Sequence, residues 1–478
     1  MNYINFLYRA YRFMASSITS KDGSFKHIWQ VAYPLIIMSA TLTIMQICDR
    51  KFLSMQSTDY VAAALPAGML AFNMGSFFLV TINFTSSVVA QYFGKKADKP
   101  CVTAAWSAIA LALVAGIFIS FCLPYVGIEI LKFVASDEHL CGLQIEYFFP
   151  LSSSVAFACL TSACCSYFSG QGMTKVVAIA NFFGMLVNIL LDYLLIFGHK
   201  GFPMLDIGEI PALGLTGAGV ATSCAALTTA LVSLGFFFFY RPNKMLKVIE
   251  FIKFDIKMVY KIFKFGVPVG LMVVMDVGAW FIAMSLIGRI SKEAAAAMTI
   301  TVSINQLSFM PMLGFTDAAS IIFGKNIGRG KLRLGEIVIY RSWVMIWSYM
   351  AITATIYLLF PMNLLNFFAP SIVDGDFSEV LVIGKISLTC AAFYNFFDSA
   401  KFILMGALRG AGDTKILVIV VVAACWLFMV PAILLTIMVF NGTIINVWMV
   451  FAALILIQTI SFFIRFKSRK WANIKLTS

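Results

Sequence analysis

Four aspartates interrupt stretches of the sequence that are otherwise apolar: Asp49, Asp192, Asp276 and Asp398. A carboxylate in the middle of a membrane costs about 3 kcal/mol, so such residues normally face a protein interior or a wet cavity. Asn188 lies four residues before Asp192 and shares its face of a helix. Amide and carboxylate oxygens can together bind a desolvated Na⁺ or stabilise a protonated acid. This pattern predicts a binding site for a small cation or a proton.

Two further polar residues of the first half can complete this site. Asp49 and Thr222 are predicted to come from other helices, and Asp49 with Asn188 and Asp192 forms a candidate Na⁺ site. The ion is Na⁺ or H⁺, and no cofactor is predicted. Three structural alternatives stay open: a polar Asn188–Asp192 pair between helices, an interfacial ion pair of Asp49 near Arg50, and a Thr222 hydroxyl bonded to its own helix.

The acids of the second half have a basic neighbour. Asp276 lies in VPVGLMVVMDVGAWF and Asp398 in FYNFFDSAKF, where Lys401 follows three residues later. Residues three apart share one face of a helix, so Asp398 and Lys401 can pair. The second half therefore offers either a further cation or substrate site or a structural ion pair.

The elements that position these residues are membrane-spanning helices. The chain has 478 residues, of which 61% are hydrophobic and 12% charged, a composition that excludes a soluble globular protein. Apolar runs of about 20 residues recur along it, which is the length of a transmembrane helix and too long for barrel strands. We predict an all-α polytopic membrane protein with about twelve transmembrane helices.

The net charge of +13 reflects topology and does not indicate nucleic acid as a partner. Most of the 35 Lys and Arg residues fall in the tails and in alternate loops, whereas the opposite loops are acidic, with Asp59, Asp137, Glu138, Asp206, Glu209, Asp374 and Asp376. The positive-inside rule then places both termini in the cytoplasm of a multi-pass plasma-membrane protein, or inner-membrane protein in a Gram-negative cell. Anionic lipid is the expected contact of the basic loops.

Three landmarks recur in the same order in the two halves. Pro34 in AYPLIIM matches Pro268 in GVPVGLM, YFGKKADK matches IFGKNIGRGK, and GQGMTK matches GAGDTK. An even number of helices per repeat gives both halves the same orientation, related by a pseudo-two-fold axis along the membrane normal with a cleft between them. Pro34 is either an ordinary kink or a moving hinge.

The predicted organisation follows from this repeat. It comprises a cytoplasmic amino-terminal segment (1–27), a six-helix lobe (28–240), a cytoplasmic linker (241–264) with an amphipathic pattern, a second six-helix lobe (265–466) and a cytoplasmic tail (467–478).

From Pro34 to about Phe466 the sequence resembles the multidrug and toxic compound extrusion (MATE) transporters, within a superfamily that includes flippases. The elements that carry the resemblance are Pro34 followed by Asp49, NILLD, FMPMLGF, Pro268 followed by an acid, and GALRGAGDTK. The resemblance implies two lobes that form a V and alternate their access. It also implies export of amphipathic, often cationic, small molecules against an inward Na⁺ or H⁺ gradient, and we expect the monomer to be functional.

Carried over by position, the resemblance implies that Asp49, Asn188, Asp192 and Thr222 form the cation or proton network of the amino lobe, with Pro34 as the bending proline. It implies that two acids of the second half, Asp276 and Asp398, bind cation or substrate. Two departures from the family's pattern favour the amino lobe as the ion-binding site. Position 276 is Asp where these transporters usually have Glu, and Lys401 can fill the second site with its own charge.

Three other functions compete with this interpretation. A flippase or exporter of a lipid-linked or lipid-like metabolite on the same scaffold calls for Arg and Lys in the cleft, whereas the buried ionisable residues here are mainly acidic. An intramembrane enzyme is disfavoured because neither HExxH nor GxSxG occurs. A passive channel needs no repeat built around acid clusters.

Overall fold

The chain folds as a set of long helices. The computed structural model describes residues 23–134, 137–198, 211–239, 255–368, 378–440, 442–474 and 476–477. Across these ranges the regular structure is helical throughout, and twelve helices are long and apolar enough to cross a membrane. This confirms the prediction of an all-α polytopic protein. The helices are α1 (Phe25–Gln56), α2 (Asp59–Gly94), α3 (Asp98–Phe133), α4 (Glu138–Gln171), α5 (Thr174–Phe197), α6 (Gly214–Phe239), α7 (Ile256–Ile287), α8 (Lys292–Gly328), α9 (Leu332–Leu359), α10 (Ser378–Ala411), α11 (Thr414–Met438) and α12 (Ile444–Lys467).

Polar residues in the short connections start several of these helices. The side chain of Ser57, before α2, accepts a hydrogen bond from the N–H of Asp59 at 3.1 Å. Asp137, before α4, accepts one from the N–H of Leu140, also at 3.1 Å. These side chains satisfy donors that the first turn of a helix leaves without an intrahelical partner.

The start of α7 differs from the sequence-based expectation. Residues 256–264 of the predicted linker continue without a break into α7, whereas the span was expected from residue 265. Met258 and Ile262 are buried on this first part, and Lys257 and Lys264 are exposed. Helix formation by residues 256–264 agrees with their amphipathic spacing, and charged residues lower the hydropathy of this part so that hydropathy alone starts the span at residue 265. Residues 1–22, the linker up to 254, and the acidic residues at 206, 209, 374 and 376 lie outside the described residues.

The repeated glycine motifs form the same helix end in both halves. α4 ends before Gly172 and α10 before Gly412, and both glycines have φ of 86°. In each case the residue after the glycine donates its N–H to a carbonyl of the last helical turn at 2.9 Å. This left-handed conformation favours glycine, which explains why GQGMTK and GAGDTK share it.

A second glycine of each motif brings two helices into backbone contact. A Cβ atom at Gly170 would lie 2.7 Å from the carbonyl oxygen of Ser86. A Cβ atom at Gly410 would overlap the carbonyl oxygen of Ser320. Close approach of backbones through small residues is the usual way in which membrane helices pack, since apolar burial adds little in lipid.

Contacts divide the chain into two compact units, and the divisions fall inside α1 and α7. The amino-terminal unit is Ile37–Val274, and the carboxyl-terminal unit is Met275–Ser478 with the chain up to Ile36. Pro34 lies inside α1 shortly before one division, and Pro268 lies inside α7 shortly before the other. The two six-helix lobes with their boundaries in the linker stay a prediction.

Within the carboxyl-terminal unit, a buried arginine anchors the start of α1. Arg341 of α9 is 2% exposed, and its Nη1 donates to the carbonyl of Gly23 at 2.5 Å. Its guanidinium lies 5.5 Å from the ring centroid of Phe25, within the range of a cation–π interaction. Further along, Gly314 of α8 lets the backbone of Ile36 approach closely. The segment of α1 up to Ile36 thus packs against its own unit.

The described part of the predicted tail packs against the same unit. Trp471 is 1% exposed, and its Nε1 donates to the carbonyl of Phe466 at 2.8 Å. The indole lies 4.9 Å, centroid to centroid, from the ring of Phe323 at the end of α8. Leu476 is also fully buried, beside Gly412. These contacts tie the chain beyond α12 to the ends of α8 and α10.

We expect Trp471→Ala to destabilise the protein by about 3–5 kcal/mol, because a buried indole is lost and a cavity is left. The midpoint of thermal unfolding in detergent, followed by size-exclusion chromatography, measures this effect. Asn473→Ala is the matched control, since Asn473 is exposed in the same turn. Equal midpoints for the two variants would show that the tail contributes nothing to stability.

Candidate functional site

Three polar side chains from two helices meet inside the amino-terminal unit. Asn188 and Asp192 lie one turn apart on α5, and both residues are 0% exposed. Asp49, near the end of α1, has its carboxyl group within interaction range of the Asp192 carboxyl group. The structure therefore brings together the three residues of the candidate Na⁺ site.

The polar atoms of this cluster lack protein partners. Five buried side-chain atoms have no hydrogen-bond partner among the described residues. They are both carboxylate oxygens of Asp192, the amide oxygen and nitrogen of Asn188, and Oδ1 of Asp49. Buried polar groups are normally paired, and two buried carboxylates that face each other repel. Protons or a monovalent cation would relieve both costs. The carboxylate oxygens and the amide oxygen form an oxygen-only ligand set of the kind that Na⁺ uses.

The contacts of Asp49 and Thr222 bear on two alternatives raised by the sequence, an interfacial ion pair of Asp49 and a Thr222 hydroxyl bonded to its own helix. Arg50, next to Asp49, is exposed, and no ion pair joins Asp49 to a basic side chain in the described part of the chain. The Thr222 hydroxyl donates to the carbonyl of Ala218 on its own helix at 3.0 Å. Its participation in the network stays a prediction.

Tyr147 is a neighbour of the cluster that sequence reasoning missed. It lies on α4, is 7% exposed, and is close enough to Asp49 and Asp192 to interact with both carboxyl groups electrostatically. Nothing in its sequence context, EYFFP, separates it from the other tyrosines near helix starts. Only the tertiary structure places the phenol near both carboxyl groups.

Pro34 lies where a bend in α1 would move Asp49. Proline has no N–H, so the carbonyl one turn earlier loses its intrahelical partner and the helix bends at lower cost. Arg341 anchors the start of α1 and Gly314 contacts Ile36, two residues beyond Pro34, whereas Asp49 belongs to the other compact unit. This position is compatible with a hinge, which stays a prediction.

The acids of the carboxyl-terminal unit have partners. Nζ of Lys401 lies 2.7 Å from Oδ1 of Asp398, and both side chains are at most 10% exposed. Of the two sequence-based alternatives for Asp398, the structure shows the ion pair. Asp276 of α7 accepts a hydrogen bond from the thiol of Cys425 at 3.4 Å. Cys425 lies in a π-helical segment of α11, Ala423–Met429, a feature often found at functional sites.

The two clusters thus differ in charge. The amino-terminal cluster contains two carboxyl groups and an amide, and the carboxyl-terminal cluster contains two carboxyl groups and an ammonium group. No group of three or more His, Cys, Asp or Glu side chains suited to a metal ion occurs within the described ranges. A multivalent metal site of that kind is therefore not indicated there.

Comparison with known proteins identifies the family of this chain. The model of the MatE family matches residues 34–194 and 268–435. A protein of Brucella suis named "Probable multidrug resistance protein NorM" is 23% identical over 405 residues, 83% of each chain. The multidrug resistance protein PmpM of Pseudomonas aeruginosa is 23% identical over 407 residues, covering 84% of this chain and 81% of PmpM.

Solved structures have the same fold. An outward-facing multidrug resistance MATE family transporter superposes with a TM-score of 0.81 at 18% identity, covering 98% of both chains. A transporter of the MOP superfamily from Pyrococcus furiosus, described as having a binding pocket of reverse polarity, gives a TM-score of 0.80 at 17% identity and the same coverage. Since the family model matches well over half of the sequence in two segments that correspond to the internal repeat, the chain belongs to the MatE family of membrane transporters.

Proposed function

We propose that this protein is a multidrug efflux transporter that exports amphipathic, cationic small molecules in exchange for H⁺ or Na⁺ by alternating access. The names of its relatives in Brucella suis and Pseudomonas aeruginosa support the multidrug part of this proposal. Ion coupling rests on a single observation, the buried cluster of Asp49, Asn188 and Asp192 with its unpartnered oxygens.

The cluster supplies the difference in affinity that coupling needs. An ion shifts a conformational equilibrium only if it binds one conformation more tightly than the other. Without a cation or a proton, the carboxyl groups of Asp49 and Asp192 repel each other across the gap between α1 and α5. When a cation or a proton is bound, both carboxyl groups are attracted to the shared positive charge. The conformation that brings Asp49 and Asp192 together is then favoured.

The position of Asp49 connects this local event to a larger movement. Asp49 lies on α1 beyond Pro34, so an approach of Asp49 to Asp192 displaces the second part of α1 relative to the fixed first part. We propose that this bend reduces the cavity of the amino-terminal lobe and releases the substrate outwards. Loss of the ion to the cytoplasm restores the cavity.

Several further assignments belong to the same proposal. We place the protein in the plasma membrane, or the inner membrane of a Gram-negative cell, with both termini in the cytoplasm and the monomer as functional form. The basic junctions between helices support this orientation, for example Lys95 and Lys96 before α3 and Lys331 before α9. Anionic lipid headgroups are the proposed contacts of these junctions.

Transport into proteoliposomes tests the proposal and identifies the ion. Purified protein is reconstituted, and accumulation of a fluorescent cationic dye is measured under an imposed Na⁺ gradient, an imposed pH gradient, both and neither. We expect accumulation under one of the single gradients and equilibration of the dye without a gradient. Equal dye movement under all four conditions would indicate a passive pathway and contradict ion-coupled antiport.

A further inference from the structure

We propose that Lys401 is a resident cation of the carboxyl-terminal unit, which occupies the position between Asp276 and Asp398 so that no free Na⁺ binds there. The inference rests on the proposed function and refines it: coupling ions are exchanged at the amino-terminal cluster alone. Lys401 would then be the residue that sets the number of ions per transport cycle.

The ammonium group lies beside Asp398 and within electrostatic range of Asp276. Its Nζ is 2.7 Å from Oδ1 of Asp398, and it is close enough to Asp276 for the two charges to interact. Lys401 is 8% exposed and Asp398 is 2% exposed. The ring of Phe402 lies 4.3 Å from Nζ, which adds a cation–π contact. A bound Na⁺ would need the same oxygens at shorter range.

Among the described residues, two further ionisable groups face this cluster: the thiol of Cys425 and the phenol of Tyr394. Gln458 of α12 donates to the Cys425 sulfur at 3.6 Å. With both acids ionised the cluster carries one negative charge, whereas the same cluster without the lysine would carry two.

A tethered cation has a large advantage over a free one. Lys401 is held on the same helix as Asp398, three residues away, so its local concentration far exceeds that of any dissolved ion. Releasing the pair would leave a buried charge without a partner, which typically costs about 3–5 kcal/mol. Free Na⁺ must offset this cost before it can bind.

Binding of ²²Na⁺ to the purified full-length protein tests the inference. In the native background, we expect Asp276→Asn to leave Na⁺ binding unchanged. We expect Lys401→Met to add about one Na⁺ per chain, because the two acids then regain an unfilled oxygen site. The double variant Lys401→Met/Asp398→Asn should lose this extra ion, and Lys401→Arg should never gain it. Lys385→Met is the matched control, an exposed lysine on the same helix.

Two results would overturn the inference. One is loss of bound Na⁺ in Asp276→Asn, a measurement that needs no change at Lys401 and is independent of whether Lys401→Met folds. The other is a monodisperse Lys401→Met protein that binds no additional Na⁺. A failure of the proposed function gives a different result. In that case Asp192→Asn keeps ion-driven transport, whereas the Na⁺-binding results for the Lys401 variants are as expected.

Discussion

We expect Asp192→Asn to abolish ion-driven dye accumulation and to fold at least as well as the original protein. Asparagine keeps the shape of the side chain but removes its charge and its ability to release a proton. Asp49 then faces a neutral side chain on α5. The ion therefore binds the conformation that brings α1 and α5 together only slightly more tightly than the other conformation. Coupling free energies of about 1–3 kcal/mol correspond to roughly 5- to 150-fold changes. We expect gradient-driven accumulation to fall at least about tenfold.

The stability of this variant gives an independent readout. Both Asp192 oxygens are buried without partners, and a buried charge without a partner is destabilising. Removing the charge should therefore leave the unfolding midpoint unchanged or raise it. Asp59→Asn is the control for transport, since the Asp59 side chain is 56% exposed. Ion-driven transport at the original rate in a folded Asp192→Asn protein would refute the role of this cluster in coupling.

We expect Gly410→Ala to disturb the packing of α8 against α10. The added methyl group meets the carbonyl oxygen of Ser320 on α8, which is backbone and cannot rotate away. The helices α8 and α10 must then separate, and overpacking of this kind typically costs about 1–3 kcal/mol. We expect a lower yield of monodisperse protein and a lower unfolding midpoint.

A matched substitution separates this packing effect from helix propensity. Gly235 lies within α6, and a Cβ atom there would meet nothing within 4 Å. Gly235→Ala should stabilise its helix slightly, by up to about 1 kcal/mol, because alanine favours helices over glycine. A lower unfolding midpoint for Gly410→Ala and a higher one for Gly235→Ala would support the contact between α8 and α10. A Gly410→Ala midpoint equal to that of Gly235→Ala would argue that the two backbones do not touch.

The helices could be predicted because their signal is local. A run of about 20 apolar residues crosses a membrane wherever it occurs, so composition and spacing were sufficient for the twelve spans. The helix α7 begins before residue 265, because Lys257 and Lys264 lower the hydropathy of a segment that is still helical. The repeated glycine motifs were also visible, because φ values near 86° favour glycine at both Gly172 and Gly412.

The candidate site could be predicted in part for a similar reason. A carboxylate in an apolar run is rare enough to stand out, so Asp49 and Asp192 were identifiable without a structure. Tyr147 was not, because a tyrosine near a helix end is common. Membership of a transporter family confirms the prediction that the protein is not an enzyme.

By itself the sequence determined which segments are helices, that they repeat, and which buried residues carry charge, since these depend on side-chain chemistry and periodicity along the chain. The tertiary structure decided which charges meet. Asp192 meets Asp49, an acid of another helix, whereas Asp398 meets Lys401 of its own helix. Helical spacing allowed Asp398 and Lys401 to pair, but only the packed surroundings, which exclude water and other partners, favour that pair over a bound cation.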